Sequence, residues 1–131
     1  LLYVDLDRFK VINDQHGHHI GDTVLSEVAR QLQLCVRESD TVARLGGDEF
    51  VVLLEGVQGR QDCFAAALKI EQALAGNTYF RSLGLDVEAS IGQSLFPEDG
   101  DNEDALIRAA DAAMYRVKSG CESQRQTALP F

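Results

Sequence analysis

The chain has 131 residues, 45% of them hydrophobic and 25% charged, which fits one globular domain long enough to bury a core. Its 12 basic and 21 acidic residues give a formal net charge of -9; that balance excludes tight nonspecific binding of nucleic acid, and a phosphorylated small ligand would need a cation between its phosphates and nearby acids. No run reaches the roughly 20 apolar residues of a membrane span, and Cys35, Cys63 and Cys121 are too widely spaced for a zinc site or a disulfide framework, so a reducing cytoplasm is the expected setting.

"LLYVD" is a continuous apolar run closing on Asp5, the pattern of a strand buried on both faces with its carboxyl end at a functional edge. "RFKVINDQHGHH" then mixes a short amphipathic piece with turn residues. Ile20, Val24, Leu25, Val28, Ala29, Leu32 and Val36 follow helical spacing and predict a helix over 20–37. "DTVARL" and "FVVLLE" flank Gly46 and Gly47 and read as a hairpin with Asp48 and Glu49 at its tip.

A second long helix is expected over 62–75, with Asp62 as N-cap and Gly76 just past its end. Between Asn77 and Phe96, aromatic and β-branched residues divided by Gly84 and Gly92 predict one or two strands, "VEASIGQSLF" being the stronger. Leu106, Ala109, Ala110, Ala113, Met114 and Val117 predict a third helix, capped by Asp101 or Asn102 and ending near Gly120, with the methionine and alanines in the core. The order describes an α/β chain of the α+β sandwich kind, a mostly antiparallel central sheet with flanking helices. Residues 1–120 form the expected domain and 121–131 a tail or linker; with no starting methionine, an amino-terminal part is expected to be missing.

If the first strand neighbours the hairpin, Asp5, Asp48 and Glu49 converge. Three acids at one sheet edge repel one another unless a hard divalent cation, Mg²⁺ or Mn²⁺, lies between them. The two glycines then gain a second use, since a backbone without side chains lets phosphate or ribose approach.

"DLDRFKVIND", "GHHIGD", "RLGGDEF", "ASIG" and "ADAAMYRVK" follow one another at the spacing of the GGDEF domain family, and the chain resembles that family over nearly all of residues 1–118. The resemblance implies a fold like the palm of nucleotidyl cyclases and polymerases, and the activity of a diguanylate cyclase, which condenses two GTP into cyclic di-GMP and two pyrophosphates. By position it implies Asp5, the Leu6 carbonyl, Asp48 and Glu49 at the metal, with Asp48 as proton acceptor for the ribose 3′-hydroxyl. Lys10 is the implied phosphate-contacting lysine, catalytic alongside Asp48 and Glu49. Asn13 and Asp22 become the guanine-reading pair, an amide and a carboxylate that together match guanine's acceptors and donors. Phe9, His18 and Lys118 complete the implied substrate site, Lys118 reaching the terminal phosphates. Arg37 and Asp40, in "RESD", match the family's inhibitory product site.

Read without the family, Asp22 is a first-turn acid favoured by the helix dipole. Asn13 is then a turn residue, His18 a surface imidazole, Lys10 and Lys118 surface lysines, and Asp7 a loop support. The segment after Lys118 departs from the family, which often carries an arginine where this chain has Glu122, with Arg125 the nearest substitute. GTP, cyclic di-GMP and a second copy of the chain are the implied partners, with sensory or phosphodiesterase domains flanking it, and without nucleic acid or membrane contact. The alternative is a catalytically silent module that binds GTP or cyclic di-GMP and regulates a larger signalling protein.

Overall fold

A strand with both faces buried needs a partner on each edge and a layer on each face, and β1 (Leu2–Leu6) has all four. The computed structural model describes residues 1–128, with side chains over 1–120. After β1 come α1 (Phe9–His16), α2 (His18–Cys35), β2 (Thr41–Gly46), β3 (Glu49–Leu53), α3 (Arg60–Ala75), α4 (Thr78–Ser82), β4 (Ala89–Gln93) and α5 (Glu103–Ala128). The strands form one sheet in the order β2-β3-β1-β4, every neighbouring pair antiparallel. This is the α+β sandwich expected from the sequence.

Alternation along the strands divides the core in two. Leu2, Val4 and Leu6 join Phe50 and Val52 on the face covered by the helices preceding β4. Leu1, Tyr3 and Val51 meet Leu106, Ala110 and Met114 of α5 on the other. At β4 the α5 backbone comes so close that a Cβ on Gly92 would stand 2.1 Å from the Ala110 carbonyl oxygen and the Met114 nitrogen.

The structure corrects some expectations in detail and decides others that the sequence leaves open. Gly17, at φ 88°, breaks the chain between α1 and α2, so α2 begins at His18 and Asp22 lies beyond its first turn. Gly59 precedes α3, and Asp62 sits inside the first turn, its carboxylate accepting from the Gln58 N–H at 2.8 Å. The stretch from Asn77 contributes one strand, not two. Its first part turns into α4 because Asn77 Oδ1 accepts from the Phe80 N–H at 2.9 Å and Phe80, 1% exposed, drives into the core. Asn102, not Asp101, caps α5, accepting from the Ala105 N–H at 2.9 Å. The helix continues past Gly120 to Ala128, and Val117, at 42% exposed, faces outward while Met114 and Ala110 are buried.

Candidate functional site

Backbone pairing assembles the acids. β1 and β3 align Asp5 with Glu49, directly opposed residues whose side chains project from the same face of the sheet. The hairpin closes as Gly46 pairs with Glu49, so Gly47 and Asp48 form its tip. Gly47 has φ 45°, a conformation glycine adopts at little cost. The Arg44 guanidinium braces that turn, donating to the Gly47 carbonyl from Nε at 3.0 Å and from a terminal nitrogen at 2.8 Å. The Leu6 N–H then donates to the Asp48 carbonyl at 3.2 Å, which stitches the tip to the end of β1.

One oxygen from each of Asp5, Asp48 and Glu49 lies within 4.8 Å of the others. Asp5 is buried, and its Oδ1 has no hydrogen-bond partner. Its Oδ2 accepts from the Lys118 ammonium at 3.1 Å, which also stands 3.8 Å from Asp7 Oδ1. Burial pushes the Asp5 carboxyl above its ordinary value; the Lys118 hydrogen bond opposes the rise, and the charges of Asp48 and Glu49 add to it. Burial works against the Lys118 charge, but the bond to Asp5 and the surrounding carboxylates outweigh it and hold that pKa above the ordinary lysine value. A buried, unpartnered carboxylate oxygen beside two further acids is a hard oxygen donor set that could hold Mg²⁺ or Mn²⁺.

Asp7 accepts from the Ser90 hydroxyl at 2.8 Å, and its N–H donates to the Glu88 carbonyl at 2.8 Å, which ties the end of β1 to the start of β4. Arg8, at φ 54°, then turns the chain into α1. Two residues that the sequence reading passed over thus shape the site: Arg44 at the hairpin tip, and Tyr3, whose hydroxyl donates to Glu49 Oε2 at 2.5 Å. Tyr3 was absorbed in an apolar run, and only the register reveals its partner.

The remaining expected residues form a second group along α1 and α2. Phe9 and Asn13 close on Gly21, where a Cβ would meet Asn13 Oδ1 at 1.8 Å and Phe9 Cζ at 3.3 Å. Asn13 Oδ1 is buried without a hydrogen-bond partner. Asp22, next along α2, is exposed and opens onto a groove of about 530 Å³ that Arg44 and Phe50 also line. Lys10 and His18 are exposed on the first turns of α1 and α2; His19, not His18, lines the neighbouring groove of about 430 Å³.

Arg37 and Asp40 stand apart, after α2. Asp40 is a buckle: its carboxylate accepts from the Arg37 N–H and the Glu55 N–H, each at 2.9 Å, while the Arg37 guanidinium donates to the Glu55 carbonyl. The Asp40 side chain is 2% exposed and that of Arg37 65%. Burial opposes ionisation of Asp40, but the two backbone N–H groups and the guanidinium outweigh it and hold the carboxyl below its ordinary value. The side chains of Glu122 and Arg125 lie outside the described residues.

Residues 1–124 match the family model described as "Diguanylate cyclase, GGDEF domain". The chain is 44% identical over 120 residues to the bifunctional diguanylate cyclase/cyclic di-GMP phosphodiesterase MucR of Pseudomonas aeruginosa, an alignment covering 90% of this chain and 17% of MucR. It is similar in structure to the GGDEF domain of TpbB, also called YfiN, from the same organism, with TM-score 0.83, 41% identity, and coverage of 91% of this chain and 74% of that one. It is also similar to the coiled coil and GGDEF domain of DgcB from Caulobacter crescentus in complex with cyclic di-GMP, with TM-score 0.73, 25% identity, and coverage of 91% and 63%.

Proposed function

The chain belongs to the GGDEF domain family, and on that premise we propose that it is a diguanylate cyclase: two copies, each holding one GTP, form cyclic di-GMP and release two pyrophosphates. In each of the two steps the ribose 3′-hydroxyl of one GTP loses its proton, its oxygen bonds to the α-phosphorus of the other, and the bond from that phosphorus to pyrophosphate breaks. Mg²⁺ or Mn²⁺, held by Asp5, Asp48, Glu49 and the Leu6 carbonyl, would supply Lewis acidity toward the phosphoryl oxygens. Asp48 takes the hydroxyl proton. Glu49 keeps the metal-binding edge anionic, and the Lys10 ammonium offsets charge developing on the phosphate.

Asn13 and Asp22 read guanine, and Phe9 and His18 complete the substrate site. Lys118, the present partner of Asp5, would serve the terminal phosphates of GTP, leaving the Asp5 carboxylate to the metal site. Arg37 and Asp40 form the inhibitory product site: Asp40 holds the turn, and the exposed Arg37 side chain clamps phosphate or guanine.

The observation that carries this reading is the buried, unpartnered Asp5 Oδ1 within the acid triad. Asn13 Oδ1, buried and equally unpartnered, supports a ligand that brings hydrogen-bond donors. The chain spans 17% of the length of MucR, whose two named activities support a whole protein with a flanking phosphodiesterase domain. Among the described residues no helix is long and apolar enough to cross a membrane, and we place the domain in the cytoplasm, where GTP is.

Incubation with GTP and Mg²⁺ at high protein concentration, or fused to a dimeriser, should yield cyclic di-GMP and two pyrophosphates per product. Binding of GTP with no product would overturn the cyclase assignment in favour of a silent regulatory module.

A further inference from the structure

Tyr3 presents a polar group where the core has no use for one. It is 6% exposed, packed with Val51, Leu106, Ala110 and Met114 beneath α5, and its hydroxyl donates to Glu49 Oε2 at 2.5 Å. The register pairs Tyr3 with Val51 and Asp5 with Glu49, so the tyrosine and the glutamate are diagonal neighbours on one face, within reach of a long aromatic side chain. An ionised carboxylate only accepts, which fixes the direction of the bond and gives it the short length of a charge-assisted contact.

Glu49 is only half-buried at the start of its strand. Unrestrained, its three side-chain torsions and the like charges of Asp5 and Asp48 would carry its carboxylate away from them. The tyrosine ring has two torsions and is held on all sides by the core, so its hydroxyl is a fixed point. We propose that Tyr3 is a positioning residue: its buried phenol holds the Glu49 carboxylate beside Asp5 and Asp48 and preorganises the triad for a divalent cation. The inference rests on reading that triad as a metal site. Tyr3 reaches the cation only through Glu49, as the outer partners of metal-binding carboxylates do.

Mn²⁺ alone, titrated into the full chain and followed by the loss of the free-ion electron paramagnetic resonance signal, tests this directly. Tyr3→Phe keeps the ring in the core and should raise the Mn²⁺ dissociation constant about tenfold. Tyr3→Phe combined with Glu49→Gln should bind no more weakly than Glu49→Gln by itself, because the tyrosine acts through the glutamate. An unchanged dissociation constant in Tyr3→Phe, losses that multiply in the double variant, or a wild-type chain that binds no Mn²⁺ at the triad would each overturn the proposal. Cyclic di-GMP formation is scored separately. A chain whose Mn²⁺ affinity depends on Tyr3 as described, yet which makes no product, supports the positioning role and overturns the cyclase reading.

Discussion

Asp5 lies directly across from Glu49 in the β1–β3 ladder, so these two like charges are held together by backbone pairing and not by attraction between their side chains. Asp48 joins them from the turn, its own carbonyl bonded to the Leu6 N–H. Removing one charge should therefore leave the fold intact while disabling the site. Asp48→Asn is expected to lower cyclic di-GMP synthesis by about 10²- to 10⁴-fold, the range for loss of a positioned proton acceptor. Its thermal midpoint should stay at or above that of the wild type because repulsion is relieved. Product assay and thermal denaturation on the same preparation check both halves, and a rate near that of the wild type removes Asp48 from the chemistry.

Lys118 serves as the counter-ion of Asp5 and Asp7 in the structure, at 3.1 and 3.8 Å. Lys118→Met should destabilise the metal-free chain, lowering its melting temperature by about 3 °C, because the acids lose their cation. Millimolar Mg²⁺ should restore most of that loss. Melting curves with chelator and with Mg²⁺ give the comparison; a deficit that Mg²⁺ leaves untouched would mean that lysine and metal do not compete for one place.

Gly21 leaves room for Asn13. Gly21→Ala puts a Cβ 1.8 Å from the present position of Asn13 Oδ1, and the flexible amide, being the easier group to move, must swing away. If Asn13 reads guanine, the Michaelis constant for GTP should rise about tenfold or more, since a site built to hydrogen-bond loses selectivity when a partner is withdrawn. The turnover number should change less. Steady-state kinetics separate the two, and an unchanged Michaelis constant removes Asn13 from base recognition.

Asp40 gives the chain a pH-dependent stability of predictable sign. Its folded pKa lies below the ordinary value, about 3.9 for aspartate, so its contribution is complete above that value and is lost as pH falls through the lower folded one. Asp40→Asn should cost about 1 to 2 kcal/mol at pH 7. The gap to the wild type should stay constant down to about pH 4 and close below it. Urea midpoints at pH 7, 4 and 2.5 test this, and a gap that persists at pH 2.5 would assign the loss to shape instead of charge. Arg37→Ala leaves the carboxylate buckle in place and should retain activity as product accumulates, whereas inhibition equal to the wild type's would count against the product site.

What the sequence disclosed followed from how local each signal is. The buried run of β1, the glycine hairpin and the long helices carry their pattern within a few residues. The convergence of Asp5, Asp48 and Glu49 was legible because an acid ending an apolar strand and two acids at a turn can meet only if the strands pair. Helix α4 was hidden by its length of 5 residues and its aromatic composition, which resembles a strand until Asn77 supplies a cap. The Tyr3 hydroxyl had no visible partner because diagonal neighbours exist only once register is known. Lys118 was expected among phosphates, and its present bond to Asp5 depends on where α5 crosses the sheet.

That crossing is set by Gly92, which lets the α5 backbone sit against β4 with no room for a methyl group. From Met114, at the contact, to Lys118 is four residues, about 6 Å along the helix axis. The ammonium is thus mounted on a short arm whose bearing is a missing side chain. Adding a single carbon there, 2.1 Å from the helix backbone, would push the arm back by about 1 Å, enough to stretch the 3.1 Å bond at its far end beyond hydrogen-bond reach, so a residue with no chemistry of its own sets the alignment of the cation that meets the acids.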